Sequence, residues 1–152
     1  DQYIGFLQEI PLMRVEEMKL IEAEAAGMQN EGRGIQLLTE FAKTRDANYV
    51  YGTHNDAYYN SENSLFQNEI WWQRRVELWG EGFGLFDIKR FKKGIIRSYE
   101  NTNHIDMYQW NVETTPQWMT FLFGGTEPEY NYDLIQNPLP VPPTNNSEPY
   151  AW

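Results

Sequence analysis

The chain contains no cysteine, and it has no lysine or arginine after Arg97. The first absence excludes disulfide frameworks, thiolate metal sites and cysteine nucleophiles. The second removes the cationic surface needed to bind a nucleic-acid backbone, in a chain whose net charge is -10. We therefore expect no nucleic acid among the partners of this protein.

Long apolar runs are also absent. No stretch approaches the roughly 18 apolar residues of a membrane span, and the N-terminus lacks the basic-then-apolar layout of a signal peptide. What is present is an aromatic fraction of 16% in 152 residues, which is too high for an intrinsically disordered chain. The length suits one domain with its own core, so we expect a single unit over 1–152.

The first 45 residues show a helical pattern on both sides of a glycine-rich stretch. Apolar residues recur at helical spacing from Pro11 to Ala26 and from Ile35 to Thr44. Between them, Gly27 to Gly34 predicts a break in the helix. Residues 1–45 are therefore expected to form a helix-turn-helix pair, with small side chains that allow the two helices to approach closely.

A second helical pair is expected over 64–97. Ser64 and Gln67 have the spacing of a capping box, and a helical apolar pattern continues from there to about Trp79. After a glycine-punctuated turn, Leu85 to Arg97 predicts a shorter helix that is interrupted at Gly94.

The remaining segments have the composition of loops. Residues 46–63 are polar and turn-rich, with room for a short strand at Tyr49–Tyr51. Residues 98–152 are expected to be mostly loop, held in place by their aromatic side chains. The predicted fold class is therefore mostly α, a helical scaffold with long irregular loops.

Charged residues are concentrated between Gln73 and Arg90. Arg74 and Arg75 lie within three residues of Glu77, and Glu81 follows Glu77 by four. One interpretation is a catalytic carboxylate pair. The other, which we favour, is a structural network in which the arginines neutralise the acids, because carboxylates used as acid and base need unpaired, differently tuned environments.

Other candidate catalytic groups have weak sequence support. His54 and His104 belong to no known catalytic or zinc motif, and no calcium-loop pattern is present, so we expect no metal and no cofactor. Glu127 and Glu129 could serve as a glycosidase pair, but their spacing in the sequence does not give the separation of the carboxyl groups.

Four aromatic residues lie in polar segments, where flat ring faces beside amide and carboxyl groups are suited to stacking on sugar rings. They are Tyr58, Tyr59, Trp110 and Trp118. The alternative, that each one holds a long loop against the core, is at least as good for each residue taken separately.

Three blocks of residues, in order along the chain, resemble the signatures of the C-terminal half of the SusD/RagB family. The residues that carry the resemblance are Arg14, Glu17, Glu24, Arg74, Arg75, Glu77, Glu81, Gly82, Asp87, Arg90, Glu127, Asn131, Gln136 and Asn137. The chain departs from the family pattern at four positions, which are Gln73, Gly84, Leu122 and Gly124.

The resemblance implies a tetratricopeptide-like scaffold and a surface-exposed outer-membrane lipoprotein of Bacteroidetes-type bacteria. Such a protein captures a glycan or related nutrient and passes it to a partner TonB-dependent transporter, with no chemical step. Family members are longer and start with a lipidated cysteine, so the chain looks like a C-terminal portion that packs against the remainder of the same polypeptide. The alternatives are an interaction segment that completes the scaffold and contacts the transporter without binding ligand, and, third, a glycoside hydrolase.

Overall fold

The computed structural model describes residues 12–55, 62–99 and 101–139, apart from the side chains of Met107 and Trp118. These residues are mostly helical with little sheet, which confirms the predicted fold class. The chain divides into two compact units, one comprising Asp1–Asn55 and Asn63–Phe83 and the other Asp56–Glu62 and Gly84–Trp152. The single unit expected over 1–152 stays a prediction.

The first unit is built from three helices: α1 (Val15–Gln29), α2 (Glu31–Lys43) and α3 (Leu65–Glu77). Helix α1 packs along α2, and both contact α3. Their apolar faces supply a buried core that consists of Leu20, Ala23, Leu38, Phe41, Ala42, Phe66, Ile70 and Trp71. Removing this apolar surface from water is the main stabilising contribution.

The predicted break between the first two helices is confirmed, but it is confined to Asn30, because Gly27 and Gly34 themselves lie inside α1 and α2. A Cβ on Gly34 would overlap the backbone of Gly27, and a Cβ on Gly27 would overlap the ring of Phe66. The two glycines therefore permit close helix packing on either side of the break. The Asn30 side chain caps α2 by accepting a hydrogen bond of 3.1 Å from the Arg33 amide.

The start of α1 also differs from the prediction. The helix begins at Val15, after Arg14 in an extended conformation (φ -97, ψ 154), and it continues past Ala26 to Gln29. Pro11, the predicted first residue, lies outside the described residues.

Helix α3 agrees with its prediction, and its N-terminus has the predicted capping box. The Gln67 side chain accepts a hydrogen bond of 2.8 Å from the Ser64 amide, and Ser64 Oγ accepts one of 3.2 Å from the Gln67 amide. Two of the amides that the first turn leaves without helical partners are thereby satisfied.

The second unit contains short elements. Helix α4 (Phe83–Arg90) begins at the boundary between the units and leads to strand β1 (Ile95–Ile96), which pairs antiparallel with β2 (Asn111–Val112). Two 3-10 turns, Asp106–Tyr108 and Gln117–Met119, and the one-turn helix α5 (Glu127–Tyr130) follow.

The prediction of helix up to Arg97 is wrong. Lys92 adopts a left-handed conformation with φ 52, which ends the helical path after α4. A Cβ on Gly94 would overlap the carbonyl oxygen of Val112 and lie 2.7 Å from the carbonyl carbon of Glu113. This residue is therefore a glycine because β2 passes against it, an approach between residues far apart in sequence.

Candidate functional site

A surface cleft of about 420 Å³ lies in the second unit. Its described lining residues are polar or charged, and they are Glu62, Lys92, Glu113, Thr114 and Thr115. The hairpin formed by β1 and β2 brings most of these lining residues together. Since Ile95 pairs with Val112 in an antiparallel register, the residues just before β1 lie beside those just after β2.

The polar groups of the cleft can both donate and accept hydrogen bonds. The carboxylates accept, the ammonium donates and the threonine hydroxyls do both. Thr115 Oγ1 is buried and has no hydrogen-bond partner among the described residues. Leaving a buried hydroxyl unpaired costs about 1–3 kcal/mol, so a ligand hydroxyl that paired with Thr115 would recover that energy.

The structure gives different information about each predicted aromatic platform. Tyr58 and Tyr59 lie outside the described residues. Trp118 belongs to the 3-10 turn Gln117–Met119, but its side chain lies outside them too. Trp110 is only 7% exposed, and the Arg97 guanidinium lies 4.3 Å from its ring centroid. The backbone carbonyl of Trp110 also accepts a 3.1 Å hydrogen bond from the Arg97 amide. Little of the Trp110 ring surface is therefore open to a ligand.

The cleft nevertheless draws on the same parts of the chain as these aromatics. Glu113, Thr114 and Thr115 stand between Trp110 and Trp118 in the sequence, and Glu62 follows the tyrosine pair by three residues. Described residues close in sequence to the predicted platforms thus line the cleft.

An ion-pair network occupies the first unit. Glu77 pairs with Arg45 Nε at 2.8 Å and with Arg14 Nη1 at 3.2 Å. Arg14 also pairs with Glu81 at 2.7 Å, and Arg45 with Glu16 at 3.3 Å. The hydrogen bond from Arg45, assisted by its charge and by Arg14, lowers the pKa of Glu77 below its ordinary value.

The partners of Glu77 are not its neighbours in sequence. Arg14 and Arg45 lie 63 and 32 residues away, whereas Arg75 stacks over Trp71 at 4.4 Å and Arg74 lies over Phe83 at 5.5 Å. The expected pairing with the adjacent arginines is therefore replaced by long-range pairs. Because Glu77 is held by two cations, it is better suited to bracing the helices than to acid–base chemistry.

Comparison with known proteins identifies the family. A sequence model of the SusD family matches residues 5–144, which is most of the chain. The chain belongs to the SusD family. No curated protein and no solved structure matches it.

Several of the residues that carry the SusD-family resemblance have structural contacts. Asp87 is 2% exposed and accepts a 2.7 Å hydrogen bond from Arg90. Gln136 exchanges two hydrogen bonds with the backbone of Phe123, and the Asn137 amide donates one of 2.7 Å to the Phe121 carbonyl. Gly82 has φ 85, a conformation that favours glycine.

The other residues of that set are placed more simply. Glu17 is buried and Glu24 is half-buried in α1, and Asn131 follows α5 directly. Glu127 and Glu129 are both exposed on α5. Two positions along a helix turn a side chain through about 200°, so these two carboxylates leave α5 in different directions.

A buried carboxylate in the first unit was missed by sequence reasoning. Glu69 has no exposed side-chain surface, and it accepts hydrogen bonds from the Tyr49 hydroxyl at 2.9 Å and from the amides of Gly52 and His54, each at 2.8 Å. The predicted strand at Tyr49–Tyr51 is wrong, because the loop turns repeatedly to bring these donors to Glu69. The available signal was the position of Glu69, three residues after Phe66 on the apolar face of α3.

His54 belongs to this loop and is not simply solvated. Its Nδ1 lies 3.1 Å from Glu69 Oε2, and its ring stacks on Trp72 with centroids 4.2 Å apart and planes 5° apart. The contacts of this histidine therefore anchor the loop to α3.

One face of α1 remains uncovered in the described structure. Val15, Met18, Ile21 and Met28 recur at helical spacing and are 61%, 57%, 44% and 71% exposed. The opposite face of the same helix is buried, so α1 is apolar on two sides, as a helix between two packing partners would be.

Two kinds of feature are absent from the described residues. They include no helix long and apolar enough to cross a membrane. They also include no group of three or more histidine, aspartate or glutamate side chains that could hold a metal ion.

Proposed function

We propose that this chain binds a glycan, or a related polyhydroxylated nutrient, in the cleft of the second unit. The observation that carries the proposal is the polar lining of that cleft, together with the buried, unpaired hydroxyl of Thr115. Sugars present many hydroxyls, each of which donates and accepts, and this lining offers complementary groups. Membership of the SusD family supports nutrient binding as the function.

Aromatic stacking would add to this recognition. We assign the role of stacking platforms to Tyr58, Tyr59 and Trp118, which flank the lining residues in the sequence. Trp110 was a fourth candidate, but its burial and the covering Arg97 suit it better to supporting the hairpin.

Membership of the SusD family also supports a wider role. We propose that the protein is a surface-exposed lipoprotein of the outer membrane, and that it delivers its ligand to a TonB-dependent transporter. It performs no chemical step in this proposal and needs no cofactor.

The experiment compares two threonine variants by affinity electrophoresis in gels that contain neutral polysaccharides. Thr115→Val removes the unpaired hydroxyl with little change of shape, and we expect the best-retained polysaccharide to bind about tenfold more weakly. Thr126→Val is the control, because Thr126 is exposed and makes no side-chain cap bond to α5. Equal retention of both variants would refute the assignment of the cleft.

A second candidate is supported by the uncovered apolar face of α1. In this alternative, the chain completes a helical scaffold with the remainder of its polypeptide and contacts the transporter without binding ligand. Co-purification distinguishes the two functions, because a preparation that retains the transporter and no polysaccharide supports the alternative.

A further inference from the structure

We infer that the cleft of the second unit selects uncharged glycans and rejects acidic ones, such as those that carry uronate or sulfate groups. The inference rests on the proposed function and adds to it the chemical class of the ligand. It comes from the charges at the cleft and along the chain that forms it.

The described lining residues together carry a negative formal charge. Glu62 and Glu113 contribute two carboxylates, whereas Lys92 contributes one ammonium. Glu62 and Lys92 also make other interactions within the protein. Glu113 is exposed at the cleft, so its carboxylate is the group that an incoming ligand meets.

The surrounding sequence adds further negative charge to that of the cleft. From Ser98 to the last residue there are seven acidic residues and no lysine or arginine, within a chain of net charge -10. A polyanionic glycan would therefore approach a surface of its own sign, and repulsion of that kind lowers both the rate of association and the affinity.

Specificity of this type needs a repulsive element as well as attractive ones. A neutral sugar can donate its hydroxyls to Glu113 and pair with Thr115, whereas a uronate has a carboxylate that can only accept. Placed beside Glu113, two carboxylates would face each other without a proton between them.

The position of Glu113 is fixed by the backbone. It follows β2 directly, and Gly94 packs against its carbonyl group so closely that a Cβ there would lie 2.8 Å from the oxygen. The backbone that carries the Glu113 side chain is thus held in place beside β1.

The test uses one polymer in two forms, which are the neutral polysaccharide that the protein retains best and the same polysaccharide oxidised at its primary hydroxyls to uronic acids. We expect the oxidised form to bind at least about tenfold more weakly at low ionic strength. This gap in affinity between the neutral and the oxidised form should narrow as salt is added, because salt screens exposed charges. Stronger binding of the oxidised form would overturn the inference while the proposed function stood.

Two variants separate repulsion from the loss of a needed hydroxyl. Glu113→Gln removes the charge at the cleft and should narrow the gap at least threefold, chiefly by improved binding of the oxidised form. Asp133→Asn makes the same change of charge at an exposed residue that does not line the cleft, and it should leave the gap unchanged.

The remaining outcomes are also decisive. If neither Glu113→Gln nor salt narrows the gap, the oxidised polymer has lost a contact rather than met a repulsion, and the inference is wrong. If Asp133→Asn narrows the gap equally, the selectivity belongs to the net charge of the chain and not to this cleft. If no polysaccharide, neutral or acidic, is retained at all, the proposed function fails and this inference falls with it.

Discussion

The two units use their polar groups differently. In the first, Glu69 accepts hydrogen bonds from three residues of one loop and Glu77 is held by two arginines, so these carboxylates are occupied within the protein. In the second, a carboxylate and a hydroxyl, those of Glu113 and Thr115, line an open cleft. The difference teaches that charge density in the sequence marks the scaffold, whereas the candidate site lies in a less charged segment.

The largest effect is expected where helices cross in the first unit. Gly34→Ala would place a Cβ over the Gly27 backbone and 2.7 Å from Phe66 Cζ. Since backbone cannot move aside as a side chain does, we expect the free energy of unfolding to fall by about 3 kcal/mol. Urea denaturation followed by circular dichroism measures the change.

The matched control is Gly84→Ala in α4, where an added Cβ meets nothing within 4 Å. Alanine is a better helix former than glycine by about 1 kcal/mol, so this variant should be slightly more stable than the parent. Equal stability of the two variants would show that the helices of the first unit do not depend on close packing at these glycines.

The glycines also show how far the sequence could predict the fold. The capping box of Ser64 and Gln67 was predictable because it is decided within four residues. The glycine-rich stretch predicted the break but not its position at Asn30, since the packing of Gly27 and Gly34 depends on contacts between three helices. Likewise, the need for a glycine at position 94 depends on β2, which begins only at Asn111.

The candidate site follows the same rule. Aromatic content and polarity directed attention to the segments around Trp110 and Trp118, and those segments border the cleft. The lining residues themselves could not be predicted from the sequence, because Lys92 and Thr115 come to the same cleft only through the register of a two-residue strand pair. No local pattern carries that information.

A smaller effect is expected at the loop that binds Glu69. Tyr49→Phe removes a 2.9 Å hydrogen bond to a fully buried carboxylate, and hydrogen bonds to charged groups contribute about 1.5–3 kcal/mol. We expect a loss of about 2 kcal/mol, measured by thermal and urea unfolding.

Tyr51→Phe is the control for this comparison. The Tyr51 hydroxyl is buried without a hydrogen-bond partner among the described residues, and burial raises its pKa to about 12. Removing it should leave the stability unchanged or raise it slightly, because an unpaired buried hydroxyl is unfavourable. A Tyr51→Phe variant as unstable as Tyr49→Phe would mean that the loop is held by packing and not by Glu69.

The smallest effect, and the one that separates the two units most directly, is the dependence of stability on pH. The pKa of Glu77 is lowered by its bonds to Arg45 and Arg14, so its contribution is fully present above its ordinary value of 4.5 and is lost as the pH falls through its folded value. Its cations are 30% and 47% exposed, and solvent screening therefore limits the loss in Glu77→Gln to about 1 kcal/mol at pH 7. As the pH falls below that ordinary value, we expect the stabilities of this variant and the parent to converge.

Glu113→Gln is the control, because it makes the same chemical change at the cleft, where no cation of the described residues is bonded to that carboxylate. We expect this variant to lose stability at low pH as the parent does. If both variants reduced the loss of stability at low pH equally, Glu113 would also brace the fold. The contrast between a scaffold unit and a binding unit would then be lost.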